Sequence, residues 1–201
     1  MRGFNVLWGV AGGWAIDLFL GQVTRPHDDL ELAIFRQDQH LIRRHLGDWT
    51  FQKIVDGRPI NWPADEELKH PIHEIHAQAT KDPRLSLEIL LNERRANDWV
   101  FRRDPRIHMP LNLAIVRDKR PLPILCPAIV LLFKAKNPRP KDDADFRSVR
   151  GRMSRDQLRW LEESLRLCHP TERWLQGLIR DLHSDQGPTS ASGRSTESYP
   201  C

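Results

Sequence analysis

The sequence predicts an α+β fold, with strands flanked by helices in the first two thirds and a helical hairpin after them. Short apolar runs of strand length recur from Val6 to Cys126, with few helix-period stretches between them. Two amphipathic patterns then follow one another between Ser154 and Leu182. The 39% hydrophobic content and seven tryptophans of this 201-residue chain are enough for a real core. No apolar run approaches the roughly 20 residues of a membrane span. The first residues lack the basic-then-apolar layout of a signal peptide, so a cytoplasmic protein is expected.

Taken in order, Val6 to Ala11 is an apolar run, and Gly12-Gly13 opens a helix. Trp14, Ala15, Leu18 and Phe19 fit one face of it, and Gly21 is a left-handed stop. Asp29, Leu30, Glu31 and Leu32 alternate as in a strand. Side chains two apart leave the same face, which puts Asp29 and Glu31 together. Asp38 is placed to cap a short helix from Gln39 to Leu46, with Leu41, Ile42 and Leu46 inward. Trp49 to Val55 reads as a strand and Asp56-Gly57-Arg58-Pro59 as its turn.

The stretch from Asn61 to Lys81 mixes tryptophan, prolines and histidines. It reads as a loop and then a strand around Ile72 to Ala79. Arg84 to Leu91 is a strand, although its near-continuous hydrophobicity also suits a buried helix. Its single carboxylate, Glu88, is costly to bury without a cation, a metal or a donor. Trp99 to Arg103 and Leu111 to Val116 read as further strands, with a turn at Asp118 to Pro121. After the short Ile124 to Cys126 run, Pro127 suits the first position of a helix reaching Lys136. Lys134, Lys136 and Lys141 surround a proline-containing break before Asp142-Asp143-Ala144-Asp145. Ser154 and Gln157 form a capping-box pattern, and Pro170 is placed to open the second helix of the hairpin. The expected organisation is a core over 1–126, a helical region over 127–183 and a disordered tail over 184–201. The tail has too little apolar area to offset its ordering entropy.

Glycines at a strand-to-helix junction let backbone approach a ligand, and the N–H groups of the helix start favour an anion there. Asp29 and Glu31, side by side, repel unless a cation sits between them. Mg2+ takes few protein oxygens where substrate phosphates complete its octahedron. The ordinary reading of such a pair is the solvated face of an edge strand.

Together GGWAIDLFLG, QVTRPHDDLEL, WVFRRD, IHMPL and LLFKAKNPRPKDDADF, in that order across residues 5–180, resemble the aminoglycoside 2''-adenylyltransferase-like family of the nucleotidyltransferase (DNA polymerase β) superfamily. The resemblance implies a nucleotidyltransferase-fold mixed sheet. It also implies transfer of a nucleoside monophosphate, AMP from Mg-ATP being favoured, to a hydroxyl of a small acceptor such as an aminoglycoside-like antibiotic. On this reading Asp29, Glu31 and Glu88 hold Mg2+, and Glu88 is the proton acceptor or a second-metal ligand. Gly12, Gly13, Arg25, His27 and Lys134 bind the nucleotide. Glu31 and Glu88 stand where the family generally has Asp, and Ala128 stands where relatives tend to have an acid.

A net charge of +4 arises from 31 basic and 27 acidic residues without a basic block, so nucleic acid is not an expected partner. A triphosphate needs only a few cations. The same charge counts against a polycationic acceptor. Cys126, Cys168 and Cys201 form no framework and are expected as reduced thiols. His70, His73 and His76, without a Cys partner or an H-E-x-x-H arrangement, do not predict zinc. The alternatives are a nucleotide-binding protein without turnover and a transferase acting on protein or RNA.

Overall fold

Strand β1 (Trp8–Val10) runs antiparallel to β2 (Glu31–Phe35) on one side and parallel to β10 (Ile124–Leu125) on the other, so segments distant in sequence flank the first strand. The computed structural model describes residues 1–117, 122–170 and 173–184. Beyond β2 the sheet continues through β6 (Ser86–Arg95), β5 (Glu74–Ala79), β3 (Trp49–Val55) and β4 (Arg58–Asn61). Beyond β10 it continues to β9 (Ile115–Val116). β2 and β6 are parallel and most other pairs antiparallel, which makes the sheet mixed, as expected. β7 (Asp98–Val100) folds back on the far half of β6, and β8 (His108–Pro110) pairs with β7.

The middle strands bury one apolar face and carry a mixed, partly open face on the other side. Leu32, Ile34, Ile89 and Leu91 are buried on one face, while Glu31 and Glu88, Ala33 and Leu90, and Phe35 and Asn92 sit opposite each other on the other. Helix α1 (Gly12–Leu20) buries Ala15 and Ile16 and stops at Gly21, whose left-handed backbone returns its N–H to the Asp17 carbonyl at 2.9 Å. α2 (Gln39–Leu46) inserts Ile42. Its Gln39 side chain is also buried, accepting from the Leu68 N–H at 2.7 Å and so pinning the irregular segment before β5.

α4 (Pro127–Lys134) is buried along almost its whole length and packs against α1, α5 (Pro140–Arg150) and α6 (Arg155–Cys168). Pro127 occupies its first turn, where no N–H is needed. The Ser154–Gln157 box opens α6: the Gln157 N–H donates to Ser154 Oγ and the Ser154 N–H to Gln157 Oε1. α6 pairs with α7 (Trp174–Ser184) as the expected hairpin, and Trp174 stacks on Phe146 of α5 at 4.7 Å. No described helix is long and apolar enough to cross a membrane.

Several elements depart from the sequence reading. Leu111 to Val116 is not one strand but a single helical turn, α3 (Leu111–Ala114), followed by β9. The Ala114 carbonyl accepts the Cys126 N–H, and pairing with β10 decides where the strand begins. Arg58 and Pro59 join β4 instead of staying in the turn. β4 is a sheet edge, where the missing N–H of proline is tolerated. Asp38 sits at the N-cap of α2, but its side chain makes no capping hydrogen bond. β6 begins at Ser86 and runs on to Arg95, β7 ends at Val100, and α4 ends at Lys134. α7 starts at Trp174 instead of Pro170. Cys126 and Cys168 are free thiols. The expected turn at 118–121, the tail beyond Ser184 and Cys201 lie outside the described residues.

Candidate active site

Three strands bring the acidic residues together through their register. Glu31 at the start of β2 lies opposite Glu88 of β6, and Glu88 lies opposite His76 of β5. Glu74, two residues before His76, shares its face. Glu74 Oε1 is 2.7 Å from His76 Nε2, and that nitrogen is 3.7 Å from Glu88 Oε1. One ligand atom from each of these three residues lies within 4.8 Å of the others. Among the described residues no other three potential ligands gather as closely. Asp29, Glu31 and Glu88 are electrostatic neighbours, but their ligand atoms do not gather as closely.

Asp29 is the reason. It precedes the first paired residue of β2, so the pleat that should hold it beside Glu31 does not reach it, and it is exposed. Its charge still acts on the others. Burial, with Asp29 and Glu74 adding to it, holds the Glu31 carboxyl above the ordinary value against the opposing pull of Lys134. Burial and then the charges of Asp29, Glu74 and Glu31 raise Glu88 as well. Four neighbouring negative charges, two of them on carboxyls held above their ordinary values, form a set that a hard cation would relieve, and the oxygen-rich ligands fit Mg2+ or Mn2+.

The Gly-Gly turn serves this acidic row. Gly12 has φ of 58°, and a Cβ there would fall on the Glu31 carboxylate. The Gly13 N–H donates to that carboxylate, so the anion seated at the start of α1 is Glu31 itself. At Gly13 a Cβ would meet the His27 ring and the Arg25 guanidinium. Both glycines let the loop before β2 close onto the helix start.

The cations expected for a nucleotide are already engaged. His27 Nε2 lies 2.6 Å from Asp17 Oδ2, Thr24 donates to Asp17 Oδ1 at 2.5 Å, and Trp14 covers the imidazole at 4.7 Å. Arg25 reaches both oxygens of Asp145, at 3.2 and 3.1 Å. Lys134 Nζ lies 2.5 Å from Asp142 and 3.1 Å from Asp145. Arg139 donates to Asp142 as well, and these donors, outweighing the burial that opposes them, hold the Asp142 carboxyl well below the ordinary range. The Asp142-x-x-Asp145 spacing on α5 is the signal for this arrangement, because it places two buried carboxylates on one helix face.

A cavity of about 350 Å³ opens between the sheet and α4. Of the expected site residues, Gly12, Glu31 and Lys134 line it, whereas Gly13, Arg25, His27, Asp29 and Glu88 do not. Glu74 and Arg139 line it too and were not anticipated, nor was His76 beside Glu88. Glu74 and His76 sit in a stretch without clear periodicity, and only strand pairing aligns them with Glu88.

The sequence model of the aminoglycoside-2''-adenylyltransferase family matches residues 1–125. No curated protein matches the sequence. Among solved structures, the lincomycin-bound lincosamide antibiotic adenylyltransferase LnuA is similar with a TM-score of 0.52 and 15% identity, covering 76% of this chain and 90% of that one. The solution structure of the antibiotic-resistance factor ANT(2'')-Ia gives 0.51 and 20%, covering 83% and 85%. ANT(2'')-Ia in complex with adenylyl-2''-tobramycin gives 0.49 and 18%, covering 80% and 87%. At these identities the likeness is one of fold.

Proposed function

The chain belongs to the aminoglycoside-2''-adenylyltransferase family, and on that footing we propose that it transfers AMP from ATP to a hydroxyl of a small acceptor, an antibiotic-like molecule among the candidates. The observation that carries the proposal is the row of Glu31, Glu88 and His76 across three adjacent strands, with Glu74 beside it, next to the start of α1.

In this mechanism the acceptor oxygen bonds to the α-phosphorus in line with the leaving pyrophosphate, and its proton passes to a carboxylate. Glu88 is the proton acceptor. Its raised proton affinity brings it nearer the operating pH, where a general base works best. His76, hydrogen-bonded to Glu74 and close to Glu88, orients that carboxylate. Mg2+ held by Glu31 and Asp29 would neutralise charge on the triphosphate. Lys134 faces the cavity while anchored on Asp142 and Asp145, so it presents a fixed positive charge to phosphate oxygens. Arg25 and His27 act behind the site, holding the Asp29 loop against α1.

One observation favours the alternative of a nucleotide-binding protein without turnover: the Glu31 carboxylate occupies the helix start that a phosphate would use. The deciding experiment supplies labelled ATP, GTP, CTP and UTP with Mg2+ to the pure protein, together with tobramycin, lincomycin and mixed hydroxylated acceptors, and measures pyrophosphate. Acceptor-dependent release with ATP is expected. Nucleotide binding without release from any acceptor would establish the alternative, and absence of nucleotide binding would remove both.

A further inference from the structure

Transfer chemistry leaves two guanidinium groups in the cavity unused. Arg102 and Arg103 follow directly on β7 and line the same cavity as Glu31 and Glu74. Both lie over Phe133 of α4, their central carbons 5.2 and 5.5 Å from the ring centroid. Arg25, Lys134 and Arg139 are each tied to a buried aspartate, but Arg102 and Arg103 have no carboxylate at ion-pair distance among the described residues. Arg36, whose charge acts on Arg102, is taken by Glu93 at 2.7 Å.

Arg102 is also held partly out of water, while Arg103 is exposed. Burial, then the neighbouring charges of Arg103 and Arg36, pull Arg102 down to about 10, with Glu74 and Glu93 opposing them. Burial lowers Arg103 in the same direction. Two adjacent like charges, one of them partly desolvated and neither in an ion pair, are unfavourable unless an anion joins them. Phe133 gives the guanidinium planes an apolar support that leaves their N–H edges free.

Position assigns the anion to the acceptor. The chain leaves β7 at Val100, opposite Glu93 and five residues along β6 from Glu88, so the arginines follow on from the Asn92 end of the strand and not from the acidic row. Glu88, Leu90 and Asn92 follow one another along that face of β6. A path from Glu88 to Asn92 spans about 13 Å, the length of a small molecule with its hydroxyl at one end and its charge at the other.

We propose that Arg102 and Arg103 receive a carboxylate or phosphate group of the acceptor, so that the molecule modified is a hydroxylated anion and not a polycationic aminoglycoside. This rests on the transfer reading above for the word acceptor, while the anion site itself does not.

The test uses the full chain with Arg side chains 15N-labelled and the donor site filled with Mg2+ and α,β-methylene-ATP. Methyl phosphate, acetate and tobramycin are titrated separately while the Arg Nε–H signals are followed. Saturable shifts with an anion are expected. In the Arg102→Gln/Arg103→Gln double variant that affinity should fall at least about tenfold, as loss of charge-assisted hydrogen bonds dictates, with the nucleotide analogue bound as in the wild type. Arg102→Lys should restore part of the affinity, which separates lost charge from misfolding. Whether phosphate or carboxylate binds better identifies the group. Tobramycin binding more tightly than either anion, independently of the arginines, would overturn the proposal, as would absence of any saturable shift. Loss of the nucleotide analogue in the double variant would also overturn it, by assigning the pair to the triphosphate. Failure of the analogue to bind the wild type, with Arg-dependent anion binding intact, would sink the transfer reading and leave the anion site standing.

Discussion

Replacing Gly12 by alanine tests whether the helix start is built around the Glu31 carboxylate. The backbone there has φ of 58°, so any Cβ carries a left-handed penalty of about 1–2 kcal/mol. The new methyl also falls on the carboxylate, which must swing away from the Gly13 N–H. Loss of a hydrogen bond to a charged group adds about 1.5–3 kcal/mol. The sum, about 2.5–5 kcal/mol, corresponds to a fall in melting temperature on the order of 10 °C for a chain of this size. Gly151→Ala is the control, since Gly151 has φ of −71° and nothing lies within 4 Å of its added methyl. That variant should melt with the wild type or slightly above it. Calorimetric melting of the three proteins reads both effects, and Mg2+-dependent ATP affinity of Gly12→Ala should be lost as Glu31 is displaced. A Gly12→Ala protein that melts with the wild type would show that Glu31 is not seated on α1, and the account of the site would fail with it.

Glu88→Gln keeps size and packing but removes the proton acceptor; transfer should slow by about 10²–10⁴-fold with Mg-ATP affinity little changed, and a wild-type rate would take Glu88 out of the reaction. Asp29→Asn should weaken Mg2+-dependent nucleotide binding without lowering the melting temperature, because Asp29 is exposed and outside the strand; unchanged calorimetric affinity would exclude it as a ligand. Asp142→Asn leaves Arg139 and part of the Lys134 charge without a buried partner, at a cost of about 3–5 kcal/mol near neutral pH. The folded Asp142 carboxyl is depressed well below its ordinary 3.8, so its stabilisation is fully present above that value and lost progressively as pH falls from there through the depressed folded value. Urea unfolding at stepped pH should therefore show the gap between Asp142→Asn and wild type widest at neutral pH and closing below 3.8, and a gap independent of pH would contradict the ion-pair assignment.

Elements specified by neighbours in sequence were legible in advance. The periodicity of α1 with its Gly21 stop, the bounds of α2 and β3, and the Ser154–Gln157 box all appear as read. Leu111 to Val116 was misread because apolar composition alone does not say which part of a run finds a pairing partner, and β10 provides one for Ile115 and Val116 only. In the site, Glu31 and Glu88 stood out as carboxylates in apolar strands, and strand register places them side by side. Glu74 and His76 became neighbours of Glu88 through cross-strand pairing, which no local pattern encodes. Arg25, His27 and Lys134 were recognised as cations near the site, but not as the partners of Asp145, Asp17 and Asp142. For Arg25 that partner lies on α5, far along the chain.

The union of Arg25 with Asp145 bears on the order in which the molecule can be finished during synthesis. A nascent chain that stops short of Ile124 leaves one edge of β1 without its parallel neighbour. Until α5 has emerged, the guanidinium that holds the Asp29 loop lacks its ion-pair partner, and Lys134 lacks both of its anchors. Residues 1–125 carry every carboxylate of the acidic row, yet the fasteners that seat the row arrive with the helices that follow. The ribosome therefore delivers the reactive groups first and their scaffold afterwards, so the centre is assembled late.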